Sequence, residues 1–177
     1  DMDVNAMLHE RLHAIIPDAG WLSEESADST HRFSAERVWV VDPIDGTRDF
    51  LRGRPGWSVS VALVENGVPQ MGILAAPARN EIWIARRGMG ATRNGLALSV
   101  SKRQQLAGAR VPADQLPKAD SDLIPVKKPN SIALRMAMVA ADEVDLLATI
   151  RWGNEWDIAA AALISQEACA MVTDALG

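Results

Sequence analysis

The sequence predicts a mixed α/β (α+β) fold in which one large, mainly antiparallel sheet is flanked by helices. Residues 57–64 and 68–75 are alternating, valine-rich runs joined by Asn66-Gly67, a pair favoured in primed hairpin turns. Strand-like runs recur at 81–85 and 91–100, broken by Arg86-Arg87-Gly88-Met89-Gly90 and carrying a second Asn-Gly turn at Asn94-Gly95. Helical patterns bracket these strands. Val4, Leu8, Leu12 and Ile15 form an apolar stripe before them, and the alanine-rich stretch 157–168 follows them.

In chain order, the first helix covers 1–16 and stops at Pro17, and Asp18-Ala19-Gly20 makes the turn. Trp21-Leu22 is a short apolar step into Ser23-Glu24-Glu25, and 26–37 reads as loop or short helix. Val38-Trp39-Val40-Val41, three of four β-branched, reads as a buried strand that runs into Asp42-Pro43-Ile44-Asp45-Gly46-Thr47. One helical turn is expected within 48–54. Residues 101–128 contain three prolines and mixed charge and read as connection. A helix over 131–141 has Asn130 or Ser131 as its N-cap. Residues 144–150 and 171–173 are expected strands. The chain divides into residues 1–100 and 101–177, two parts of one continuous fold. Its first residue falls inside a helical pattern and its last just after a strand and turn, so a chain truncated at both ends is expected.

With 177 residues, 48% hydrophobic and 23% charged, the chain is long enough for a sizeable core and has a globular composition. Its net charge of −5, with no dense Lys/Arg cluster, argues against a nucleic-acid polymer as partner. No apolar run reaches membrane-spanning length and no signal peptide is evident, so no membrane partner is expected. A single cysteine, Cys169, excludes an internal disulfide framework and suits a reducing, cytoplasmic setting.

Two patterns compete for a metal. His9-Glu10-Arg11-Leu12-His13 matches H-E-x-x-H, in which two histidines one helical turn apart hold zinc and the glutamate is the base of a protease. Its plain alternative is two histidines flanking a surface helix, with only Glu24, Glu25 or His31 to supply a third ligand. The acidic pattern is richer. Asp42 sits at the tip of a stiff strand and Asp45 on the turn shaped by Pro43 and Gly46, so both carboxylates can face one spot, as hard divalent cations require. The plain alternative there is an Asp-Pro turn. Glu24-Glu25 by itself is a solvated pair, and Asp157 by itself a helix N-cap in Asn154-Glu155-Trp156-Asp157.

Taken in order, Ser23-Glu24-Glu25, Asp42 to Thr47 and Trp156-Asp157-Ile158-Ala159-Ala160 closely resemble the signatures of the inositol monophosphatase family of magnesium-dependent, lithium-sensitive phosphatases, which includes 3'(2'),5'-bisphosphate nucleotidases. Gly88-Met89-Gly90-Ala91 with Asn94-Gly95, and Glu167-Ala168 with Val172-Thr173-Asp174, resemble further family segments. The resemblance implies a layered α-β-α-β-α sandwich of the sugar-phosphatase type, usually a homodimer. It implies two or three Mg²⁺ ions: Glu24, Asp42 and the Ile44 carbonyl at one, and Asp42, Asp45 and Asp157 at a second. Gly46 and Thr47 match the phosphate cradle, and Asp157 also falls at a substrate-binding position. Thr47 matches a threonine that orients the attacking water, with Asp1 at the position of its aspartate partner. The implied substrate is a small phosphate monoester, an inositol or sugar phosphate. Asn154-Glu155 before the Trp-Asp pair is nearer the nucleotidase branch, whose substrate is 3'-phosphoadenosine 5'-phosphate. Three departures stand out: Ile150 replaces a family glutamate that contacts substrate hydroxyls, Ala161 replaces a glycine, and Cys169-Ala170 replaces Gly-Gly.

Overall fold

The computed structural model describes residues 1–26, 30–149 and 153–174. Strand β1 (Gly20–Ser23) lies parallel to β2 (Arg37–Asp45), because a crossover containing a short 3-10 helix, Thr30–Phe33, returns the chain to the same edge. From β2 onward each strand pairs antiparallel with the next: β3 (Ser58–Glu65), β4 (Val68–Ala76), β5 (Glu81–Arg86), β6 (Ala91–Arg93) and β7 (Leu96–Ala97). The result is a seven-stranded sheet in sequence order. Both Asn-Gly turns adopt the left-handed pair that a primed hairpin needs, with φ of 50° and 78° at Asn66 and Gly67 and 51° and 79° at Asn94 and Gly95.

Side-chain alternation assigns the two faces. Leu22, Val40, Ala62, Leu74, Trp83 and Ala85 point to one face, where helices α3 (Ile132–Ala140) and α4 (Glu155–Glu167) bury them with Ala137, Ala160, Leu163 and Ile164. The approach is close: a Cβ added at Gly72 on β4 would lie 2.7 Å from the Ala160 carbonyl oxygen. On the opposite face, helix α1 (Met2–Ile15) lays Leu8 and Leu12 against Trp39, Val41 and Val61. The helix expected within 48–54 is α2 (Thr47–Leu51). Fold class and flanking helices therefore agree with the sequence, and among the described residues no helix is long and apolar enough to cross a membrane.

Four expectations fail. No strand forms over residues 144–149; Val144 is fully buried in the turn after α3, its N–H donating to the Met138 carbonyl, and Asp145 is committed to Arg110. Position 150 lies outside the described residues. Residues 171–173 are likewise not a strand. The supposed connection at 101–128 instead holds two short strands, β8 (Arg110–Pro112) and β9 (Ile124–Val126), paired in parallel as a separate sheet. The last helix also begins earlier than expected, with Asn154 as its N-cap and Asp157 at its third position.

Candidate metal centre

The loop that ends β2 builds the site. Pro43 has no N–H for the ladder, and the pairing with β3 shifts register between Asp42 and Asp45. The chain then turns through Gly46, whose φ of 91° suits glycine, and a Cβ there would fall 2.7 Å from the Ser131 nitrogen and 2.8 Å from the Gly56 oxygen. Within this wedge Asp42 and Asp45 are both buried. Asp157 reaches the same spot from the first turn of α4. Ligand-type oxygens of Asp42, Asp45 and Asp157 lie within 4.8 Å of one another. Glu24, at the exposed end of β1, completes the cluster through a side-chain hydrogen bond with Asp42.

Four carboxyls so placed repel as anions. Burial first, and then the charges of Asp45, Glu24 and Asp157, push Asp42 up to about 8, against the pull of the Ile44 N–H, which donates to its Oδ1 at 2.9 Å. Burial also pushes Asp45 up to about 6, but donors oppose it: the Ser131 hydroxyl and the N–H groups of Ala133 and Ile132, which cap the start of α3 with this carboxylate. Glu24 is raised by burial, then by Asp157, Glu25 and Asp45. A carboxyl–carboxyl hydrogen bond needs a proton, and burial among acidic neighbours, which raises Asp42 more than any other carboxyl of the cluster, favours Asp42 as the residue that carries it. An all-oxygen donor set that must otherwise retain a proton fits a hard divalent cation, whose charge replaces that proton.

Other expected residues fall around this centre. Gly46, Thr47, Glu24, Asp45 and Asp157 line one cavity of about 860 Å³, together with Arg48, Asn130, Ile132 and Met136. The Thr47 hydroxyl donates to the Ile44 carbonyl at 3.1 Å, leaving that oxygen one further lone pair. Asp1 is exposed at the N-cap of α1 and is not among the cavity walls. One turn on, Asn5 ties this end of α1 to β1, accepting from the Ser23 hydroxyl at 2.7 Å and donating to Ser26 at 3.0 Å. Sequence reasoning offered Asn130 or Ser131 as the helix cap, of which the structure uses Ser131, but did not find Ser131 as a donor to Asp45, 86 positions away.

The H-E-x-x-H pattern assembles no such site. His9 and His13 stack with ring centroids 4.1 Å apart and both meet the Trp21 ring. The His13 nitrogens face the carbonyls of His9 at 3.0 Å and Ala19 at 3.2 Å. Among the described residues no acidic, cysteine or further histidine side chain joins them to make a three-ligand cluster. The pair is an aromatic contact that fastens α1 to β1.

Comparisons with known proteins identify the family. The family model described as "Inositol monophosphatase family" matches residues 1–177. Fructose-1,6-bisphosphatase/inositol-1-monophosphatase of Thermotoga maritima is 35% identical over 185 residues, covering 100% of this chain and 70% of the relative. Nus factor SuhB of Xylella fastidiosa is 36% identical over 184 residues, covering 95% of this chain and 65% of the relative. The solved structure of a Thermotoga maritima IMPase superposes with a TM-score of 0.86 at 34% identity, covering 98% of this chain and 70% of that one. The chain thus spans about two thirds of the length of such relatives, in the same layered α/β arrangement. Sequence, fold and family model coincide: this chain belongs to the inositol monophosphatase family.

Proposed function

We propose that this protein is a Mg²⁺-dependent phosphomonoesterase that hydrolyses a small phosphate monoester of the inositol or sugar phosphate class. The observation that carries this reading is the meeting of Glu24, Asp42, Asp45 and Asp157 at one end of a cavity walled by Gly46 and Thr47. Glu24, Asp42 and the Ile44 carbonyl would hold one ion, and Asp42, Asp45 and Asp157 another; a third would lie near Glu24. Mg²⁺ in such a site supplies charge to a phosphoryl group and acidity to water.

The chain's own residues do the rest. Asp42, raised by burial and its acidic neighbours, would be held as a carboxylate by the charge of bound cations and could then serve both ions. Gly46 and Thr47 open α2 with N–H groups that a helix leaves unpaired, and these receive the phosphate oxygens. The Thr47 hydroxyl, already aimed at the metal loop through Ile44, orients the attacking water. Asp1, at the start of α1, is the proposed partner of Thr47 in that task. Asp157, which lines the same cavity, is the proposed substrate contact from α4.

The second reading is a 3'(2'),5'-bisphosphate nucleotidase acting on 3'-phosphoadenosine 5'-phosphate. It is favoured by the apolar part of the cavity lining, where Met136, Val139, Leu146 and Ile158 suit a flat ring better than a polyol, and by Asn154-Glu155 at the head of α4. Phosphate release from inositol 1-phosphate, fructose 1,6-bisphosphate and the adenosine bisphosphate, each with Mg²⁺ and with added Li⁺, separates the two. Release that needs Mg²⁺ and falls with Li⁺ is expected. Release from none of the three, or release that survives Asp42→Asn, overturns the proposal. A dimer and a cytoplasmic location belong to this reading too, and light scattering of the purified protein tests the first.

A further inference from the structure

We propose that Ser131 is a positioning residue for the cation site, its hydroxyl fixing the orientation of Asp45 so that ligation falls to Oδ1. The inference rests on the Mg²⁺ reading above. Among the described residues the hydrogen bonds around Ser131 form a complete set. Asp45 Oδ2 accepts from the Ser131 hydroxyl and from the Ala133 N–H at 2.8 Å, whereas among these residues Oδ1 receives only the Ile132 N–H at 3.3 Å. An ionised carboxylate only accepts, so the single Ser131 proton goes to Asp45. The two lone pairs of the same hydroxyl then take the Leu134 N–H at 2.9 Å and Ser58 Oγ at 3.1 Å, which makes Ser58 the donor in that contact. Ser131 and Ser58 are both fully buried, so no water competes and the hydroxyl has one orientation open to it.

The backbone adds to the constraint. The Ser131 N–H donates to the Gly56 carbonyl at 2.8 Å, and Ser131 closes over Gly46 so tightly that no Cβ fits there. Ser131 therefore joins three parts of the site: the loop after β2, the start of β3 and the first turn of α3. Removing its hydroxyl leaves Asp45 with main-chain donors only and frees Oδ2 to rotate toward the cluster. Partners that orient a metal-binding side chain typically change affinity by about 10–100-fold when lost.

The test compares wild type with Ser131→Ala, Ser131→Gly and Ser131→Thr. Glycine is included because helix N-caps tolerate it, so one hydroxyl-free variant keeps its fold. Mg²⁺ affinity is measured by calorimetry, folding by a thermal melt in EDTA, and coordination by the decay of Tb³⁺ luminescence in H₂O and D₂O. Ala and Gly variants are expected to melt cooperatively in EDTA yet bind Mg²⁺ about tenfold or more weakly. Their bound Tb³⁺ should gain about one coordinated water as Asp45 disengages. Ser131→Thr, which keeps the hydroxyl, is expected to restore binding. A folded Ala or Gly variant with wild-type Mg²⁺ affinity and Tb³⁺ hydration overturns the positioning role while leaving the metal reading intact. Failure of the wild type itself to bind Mg²⁺ overturns both.

Discussion

Asp42 is buried beside three other carboxyls, and its protonation couples stability to pH. Its folded pKa of about 8 lies far above its unfolded value near 3.8, so between those values the folded state holds more protons. The stabilising contribution is complete below the unfolded pKa and is lost as pH rises through 8; Asp45, at about 6, acts in the same sense over a narrower range. In EDTA the melting temperature is therefore expected to fall from pH 5 to pH 8.5, as a thermal-melt series would show. Asp42→Asn mimics the protonated acid, keeping an acceptor for the Ile44 N–H and a donor toward Glu24. It is expected to flatten that pH dependence and raise the EDTA melting temperature at pH 8.5 while abolishing Mg²⁺ binding. Asp157→Asn, at one edge of the cluster, is expected to weaken binding less, by calorimetry. This residue-scale chemistry was legible where it is local: Asp-Pro-Ile-Asp-Gly-Thr declares its own strand end, turn and carboxylates. Ser131 was not, because nothing in Asn130-Ser131 announces that its proton goes to Asp45.

Helix α4 carries Asp157 and must be held in one register on the sheet for that carboxylate to reach β2. Its N-terminus is closed by a capping box in which Asp157 Oδ2 accepts the Asn154 N–H at 2.6 Å, and the Trp156 carbonyl accepts from Ser60 at 3.3 Å. Mid-helix, Ala160 sits on Gly72. At the far end Glu167 receives the N–H groups of Gly88 and Gly90, each at 2.8 Å, which holds its carboxyl below the usual range. Gly72→Val inserts bulk where backbone already touches and is expected to cost about 1–3 kcal/mol by urea unfolding, and to lower Mg²⁺ affinity as Asp157 is displaced. Glu167→Gln is expected to have a smaller effect on both. The hairpins and long helices were readable because Asn-Gly turns and apolar stripes are short-range signals. Strands β8 and β9 were not: each has three residues and a proline, and they pair in parallel with each other rather than with the main sheet. Val144, apolar and flanked by acids, looked like a strand residue but is a buried plug under α3.

Across the whole molecule, the acidic centre joins segments far apart in the chain: Glu24 from the turn after β1, Asp42 and Asp45 from β2, and Asp157 from α4. A ligand that binds only when these meet favours the folded state by mass action, by about 2.7 kcal/mol at a hundredfold excess over its dissociation constant. Adding Mg²⁺ to the EDTA-stripped protein is thus expected to raise its melting temperature, most strongly near pH 8 where the bare cluster is least comfortable. The central claim is that a divalent cation takes the place of the Asp42 proton. Mg²⁺ titration calorimetry at pH 7, repeated in buffers of different ionisation enthalpy, counts the protons released on binding. The expected result is release of roughly one proton by the wild type and none by Asp42→Asn, which should not bind. Mg²⁺ binding without proton release, or equal binding by the two proteins, would contradict the account.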